Sequence, residues 1–200
     1  MSSLFKKQCV FAYTQREIGQ SPTSNLPQIA FIGRSNVGKS SLINALVRRK
    51  KLVRAAKTPG RTVTVNYFNL ADELFLVDLP GFGYAKQSKS VANGISILVS
   101  RYLSNNIKLS LLIIIVDVRR KDEASIDSLV ERTAKGNTNF LFVLNKIDKA
   151  TTLETSTTKE YLEKSMKGIR NFHGVFPVSS KYNLGLDNLR EFISHHCTTR

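Results

Sequence analysis

Cysteine is scarce in this 200-residue chain. Its two cysteines, Cys9 and Cys197, lie at opposite ends without CxxC spacing, which argues against a disulfide framework or a thiolate zinc site. A reducing, cytoplasmic setting fits that scarcity. Long apolar runs are also missing: the longest, residues 111–116, is far too short to span a bilayer. Behind Lys6 and Lys7 only residues 10–12 are apolar, so no secretory signal is expected, and no membrane association. The third scarcity is acid. Fifteen Asp and Glu face thirty Lys and Arg, a net charge of +15, although 42% apolar and 8% aromatic content is ordinary for a globular chain. The surplus is uneven. Residues 18–116 carry thirteen basic side chains against Asp72, Glu73 and Asp78 alone, whereas residues 117–200 carry fourteen against eleven. Such a surplus attracts polyanions and is not needed for folding.

The length suits one domain, expected over residues 26–200 behind a leader, 1–25, that packs on or near it and ends in the turn-rich stretch 19–25. A short strand is expected around residues 9–13. Apolar runs at 29–32, 74–77, 109–116, 140–144 and 175–178 read as doubly buried parallel strands. Between them Leu42, Ile43 and Leu46 share one helical face, as do Leu186, Leu189, Phe192 and Ile193. Residues 63–70 alternate polar and apolar and turn through Ala71-Asp72-Glu73 into the next run, as an antiparallel edge hairpin would. The pattern predicts an α/β fold: a doubly wound, mostly parallel six-stranded sheet with one antiparallel edge hairpin and helices on both faces.

In such sheets ligands sit beyond the carboxyl ends of the strands, where Gly33, Asp78, Asn145 and Ser179 fall. Gly33-Arg34-Ser35-Asn36-Val37-Gly38-Lys39-Ser40-Ser41 contains GxxxxGK[ST] between a strand and an amphipathic helix. Glycines let the backbone wrap phosphates, the helix start supplies N–H donors, Lys39 reaches the β- and γ-phosphates, and the Ser40 hydroxyl is offered to Mg²⁺. Asp78-Leu79-Pro80-Gly81 alone would be a turn. At this distance from a phosphate loop, Asp78 can hold a Mg²⁺-bound water and the Gly81 N–H can sense the γ-phosphate. Asn145-Lys146-Ile147-Asp148 is base-specific: the Asp148 carboxylate can accept from guanine N1–H and N2–H₂, a donor pair adenine lacks, so GTP is expected over ATP. Two weaker signals complete the set. Lys57-Thr58-Pro59-Gly60-Arg61-Thr62-Val63-Thr64 offers the Thr62 hydroxyl to Mg²⁺, and Val178-Ser179-Ser180 offers backbone N–H groups to guanine O6.

Together these residues resemble the Ras-like GTPases in full motif order. GRSNVGKSSLINAL, KTPGRT, DLPGFGYAK and NKID resemble the EngB family of bacterial ribosome-assembly GTPases more closely, across about residues 27–195. The resemblance implies GTP and GDP binding at 33–40, 60–64, 78–81, 145–148 and 178–180, with Mg²⁺ on Ser40 and Thr62. Lys39, Thr62 and Gly81 are then the catalytic set. It also implies cytoplasmic work in maturation of the large ribosomal subunit, and the family is linked to septation. Two places depart from pattern. Val63 replaces the family's usual glutamine after GRT, and Phe82 stands where Ras-like enzymes carry the glutamine that orients the attacking water, so slow intrinsic hydrolysis is expected. Asn36 is a candidate K⁺ ligand, as in some related GTPases.

A monomer is expected. The basic residues Arg48, Arg49, Lys50, Lys51, Arg54, Lys57, Lys86 and Lys89 flank the two switch segments and are expected to face ribosomal RNA of the large-subunit precursor. An ordinary solvated helix end remains open for residues 48–51. Also open is a non-catalytic rival, a GTP-dependent RNA-bound placeholder whose turnover is incidental.

Overall fold

The computed structural model describes residues 3–15, 24–53, 64–82, 88–119, 130–131, 133–134 and 136–198. The strands are β1 (Cys9–Gln15), β2 (Gln28–Gly33), β3 (Val65–Leu70), β4 (Leu74–Asp78), β5 (Leu109–Asp117), β6 (Phe140–Asn145) and β7 (Phe172–Val178). They form one sheet in the order β1-β3-β4-β2-β5-β6-β7. β2 pairs parallel with β4 and β5, and the parallel ladder continues through β6 to β7. The helices are α1 (Lys39–Leu46), α2 (Lys89–Asn105), α3 (Thr152–Ser165) and α4 (Leu186–Thr198).

The doubly wound reading holds, but the sheet has seven strands rather than six. The seventh comes from the leader: β1 pairs antiparallel with β3, Cys9 opposite Leu70 and Gln15 opposite Val65. The β3–β4 hairpin is therefore interior, and β1 forms the edge. Tyr67 shows why the edge is covered. Its ring is fully buried and its hydroxyl donates to Gln15 Oε1 at 2.8 Å, so β3 needs a neighbour on its outer side.

Alternation along the central strands feeds two cores. Ile29, Phe31, Leu111, Ile113 and Ile115 face α1 and α4, where Leu42, Ile43, Leu46, Leu186, Leu189 and Ile193 are buried on the faces their periodicity predicts. Ala30, Ile32, Leu112, Ile114 and Val116 face the other way, against Ile95, Leu98, Val99 and Tyr102 of α2. Helix α3 contributes one buried residue, Leu162, and starts with a reciprocal cap: Glu154 N–H donates to Thr151 Oγ1 and Thr151 N–H donates to Glu154 Oε2. Arg190 of α4 closes the far end of α1 by donating from Nε to Leu46 O at 2.9 Å and from a terminal nitrogen to Ala45 O at 2.6 Å. Among the described residues, no helix is long and apolar enough to cross a membrane.

Candidate functional site

The loop after β2 is shaped by two close approaches. A Cβ on Gly33 would lie 2.8 Å from Ile115 O, and one on Gly38 would lie 2.4 Å from Asn145 Nδ2, at a φ of +99°. Both positions admit only glycine. Asn36 also adopts a left-handed φ of 64°, and the loop closes through Val37 N–H to Arg34 O at 3.2 Å. Helix α1 then begins at Lys39 with no acid in its first turn and no side-chain cap. Its first amides, with Ser40 and Ser41, are left to an anionic ligand.

β4 delivers its carboxylate beside that loop. Lys39 and Asp78 form an ion pair, with side chains 13% and 10% exposed. The chain then runs along the phosphate loop: Leu79 N–H donates to Phe31 O at 3.1 Å, Phe82 N–H to Gly33 O at 3.3 Å, and Ser35 N–H to Phe82 O at 2.9 Å. Pro80 and Gly81 are thus carried across the loop's mouth, and the Phe82 ring packs against the α2-side core.

The base-reading segments converge from β6 and β7. Asn145 is 1% exposed and ties three segments together, donating to Val37 O at 3.0 Å and accepting from Ser180 N–H at 3.3 Å and Ser180 Oγ at 2.9 Å. Lys146, at a left-handed φ of 65°, donates to Asn36 O at 2.6 Å. Ile147 and Asp148 follow in a short 3₁₀ turn, and Asp148 Oδ1 accepts from Ser179 Oγ at 2.6 Å. Val178 ends β7 fully buried.

Sequence reasoning missed one member. Asp117 closes β5 directly opposite Asn145 and accepts from Lys146 Nζ at 2.9 Å and from Arg119 at 2.8 and 2.9 Å. Burial alone would push this carboxyl up; the hydrogen bonds from Arg119 and Lys146 overcome that and hold it well below the usual carboxylate range. The available signal was its position. It is the one polar residue ending the longest strand, one place beyond the apolar run.

Several expected residues lie outside the described ones: Gly60, Arg61, Thr62 and Val63 of the candidate Mg²⁺ loop, and Arg54, Lys57 and Lys86 of the basic set. Thr64 immediately precedes β3. Lys89 opens α2 behind Ser88, whose Oγ accepts from Val91 N–H at 3.4 Å.

The family model for a 50S ribosome-binding GTPase matches residues 28–146. The probable GTP-binding protein EngB of Gluconobacter oxydans is 37% identical over 192 residues, 96% of this chain and 85% of that protein. The Rickettsia felis protein of the same name is 42% identical over 150 residues, 75% of this chain and 71% of its own. The chain belongs to the EngB family. It is a GTP-binding protein that hydrolyses GTP, in a family of proteins that work with Mg²⁺. A crystal structure of a probable EngB superposes with a TM-score of 0.65 at 24% identity, covering 86% of this chain and all of that one. The structure of Era with MgGDPNP and a segment of 16S ribosomal RNA superposes at 0.63 and 22% identity, covering 86% of this chain and 56% of that one. These two likenesses bear on the fold.

Proposed function

We propose that this EngB-family chain is a GTP-driven switch in the maturation of the large ribosomal subunit, docking on ribosomal RNA in its GTP state. The observation that carries the nucleotide part is the Asn145 side chain. It joins the phosphate loop to the guanine loop in one hydrogen-bonded unit, so phosphate and base are read by a single preformed frame. The triphosphate lies in the loop of residues 33–41 on the amides that open α1, and Asp148 turns both carboxylate oxygens to guanine N1–H and N2–H₂.

Loading then requires an exchange. Lys39 leaves Asp78 for the β- and γ-phosphates, and the freed Asp78 carboxylate would be able to hold a water of Mg²⁺. Ser40 hydroxyl and Asp78 carboxylate are hard oxygen donors that suit Mg²⁺. Mg²⁺ is commonly held by one or two protein oxygens together with phosphate and water, and these two donors would serve it in that way. Ser40 and Thr62, with Asp78 through a water, would hold the ion, which would supply positive charge against that developing on the γ-phosphate. Water attacks the γ-phosphorus in line, the bond to the β-phosphate oxygen breaks, and the Gly81 N–H senses loss of the γ-phosphate. Phe82 has no polar group to orient that water.

The ribosomal part is supported by the exposed run Arg48, Arg49, Lys50 and Lys51 and by the description of the matching family model. Phe82 favours a second reading, the placeholder with incidental turnover. Single-turnover hydrolysis with and without large-subunit precursor particles separates them. A switch accelerates at least tenfold on the particles, whereas an unchanged rate leaves the placeholder.

A further inference from the structure

The backbone of Arg48 and Arg49 closes α1: the Arg48 N–H donates to Ala45 O at 3.2 Å and the Arg49 N–H to Asn44 O at 2.9 Å, so a helix end is present and the question is what its side chains do. Arg190 adds side-chain bonds to Leu46 O and Ala45 O, so the side chains of residues 48–51 are not needed at these carbonyls. Asn44 clamps both backbone groups of Val53, donating to its O at 2.9 Å and accepting from its N–H at 2.8 Å. The chain between is held as an outward loop, with Arg48 at a φ of +55° and residues 48–51 exposed. Among the described residues, one carboxylate comes within ion-pair reach of this loop, Asp187, 3.9 Å from Arg48.

Two grooves flank the loop and share Arg48 and Arg49. One, about 490 Å³, runs toward the leader and adds Lys6 and Lys7, of which Lys7 is already paired with Glu73. The other, about 660 Å³, runs toward the guanine loop and adds Lys50, Lys181 and Asn183. A single phosphate would leave most of these cations unused. A phosphodiester chain would engage them in succession.

Between the lining residues Lys181 and Asn183 stands Tyr182, 57% exposed, with Lys181 Nζ 4.6 Å from its ring centroid. Its backbone N–H donates to Ser179 Oγ at 3.2 Å, and that hydroxyl donates to Asp148 Oδ1 at 2.6 Å. A two-bond chain therefore connects the guanine-reading carboxylate to an exposed aromatic ring beside a cationic groove. Exposed aromatics next to such grooves are stacking platforms for unpaired bases.

We propose that single-stranded RNA binds along this track, its phosphates on Lys6, Arg48, Arg49, Lys50 and Lys181 and one base stacked on Tyr182. Guanine occupancy at Asp148 fixes the loop that carries the ring. The proposal rests on the RNA reading above and deepens it. The γ-phosphate plays no part in this chain of bonds, so GDP and GTP strengthen this track alike, and the GTP dependence of docking on the whole particle belongs to the phosphate side, where Lys39 and Asp78 must part.

The test is fluorescence anisotropy of the full chain with a labelled 20-nucleotide single-stranded RNA of mixed sequence, titrated across KCl concentrations. Replacing Lys6, Arg49 and Lys181 together by Gln lowers the slope of log affinity against log salt by about 2, given roughly 0.7 per phosphate contact for single strands. Tyr182→Ala weakens binding about tenfold and Tyr182→Phe restores it. GDP tightens wild-type binding and leaves Tyr182→Ala unaffected. Wild-type protein that ignores the RNA at low salt overturns the RNA reading itself. Wild-type binding with an unaltered slope in the triple variant, with equal affinity in Tyr182→Ala, or with equal competition by polyglutamate overturns the track alone.

Discussion

The two halves of the nucleotide site are built differently. On the base side, Asn145, Lys146 and Asp117 hold their partners in a network that the ligand can join without displacing a charge pair. On the phosphate side, Lys39 and Asp78 hold each other and must part before either can act. A rigid reader beside a contact that must be exchanged gives specificity to one half and switching to the other.

The sharpest challenge to this division is Asp148→Asn. Losing the carboxylate should weaken GTP about a hundredfold, roughly 3 kcal/mol for a charge-assisted pair, and shift preference toward xanthine nucleotides. Wild-type GTP affinity in a competition titration with no gain for XTP would remove Asp148 from the base site.

Asp117→Asn comes next. It takes the charged partner from Lys146 while keeping shape, so guanine nucleotide affinity should fall about tenfold with little change in single-turnover rate. Acid titration separates its two roles. The carboxyl is depressed in the folded state, so its stabilisation is fully present above the unfolded value near about 3.9 and lost as pH falls through the folded one. Urea unfolding should show a constant gap between wild type and variant above about pH 5, narrowing below about pH 4. A gap independent of pH across that range rules out a charged Asp117.

Smaller effects are expected on the phosphate side. Intrinsic turnover should be near or below about 10⁻⁴ s⁻¹, since Phe82 cannot orient water. If Asn36 holds K⁺ near the phosphates, hydrolysis should run several-fold faster in potassium than in sodium, and equal rates exclude the ion. The smallest prediction is a control outside both halves. Thr151→Ala removes the cap of α3 and should cost about 1 kcal/mol of stability by thermal unfolding while nucleotide affinity stays unchanged.

The readable parts of the molecule were those whose local chemistry has one solution. A Gly with φ of +99° against Asn145 and six consecutive apolar residues in β5 leave little choice of structure. The seventh strand was harder. β1 was expected only as a short strand in the leader, because its exposed Val10 and Phe11 blur the alternation and its partner residues in β3 lie fifty or more positions away. α3 gave no amphipathic signal, since only Leu162 of it is buried. Asp117 escaped because its function depends on neighbours brought in by β6, which no spacing along the chain reveals.

The closure of α1 by Arg190 bears on how the protein is made. The helix that presents Lys39 emerges early in synthesis, and Arg48 and Arg49 close Ala45 O and Asn44 O locally, yet the Leu46 carbonyl meets its Arg190 partner only when residue 190 has been added. A nascent chain therefore carries its phosphate loop on a helix that lacks its Arg190 contact until α4 has been made. Competence to hold nucleotide tightly should appear only once α4 has been made and docked.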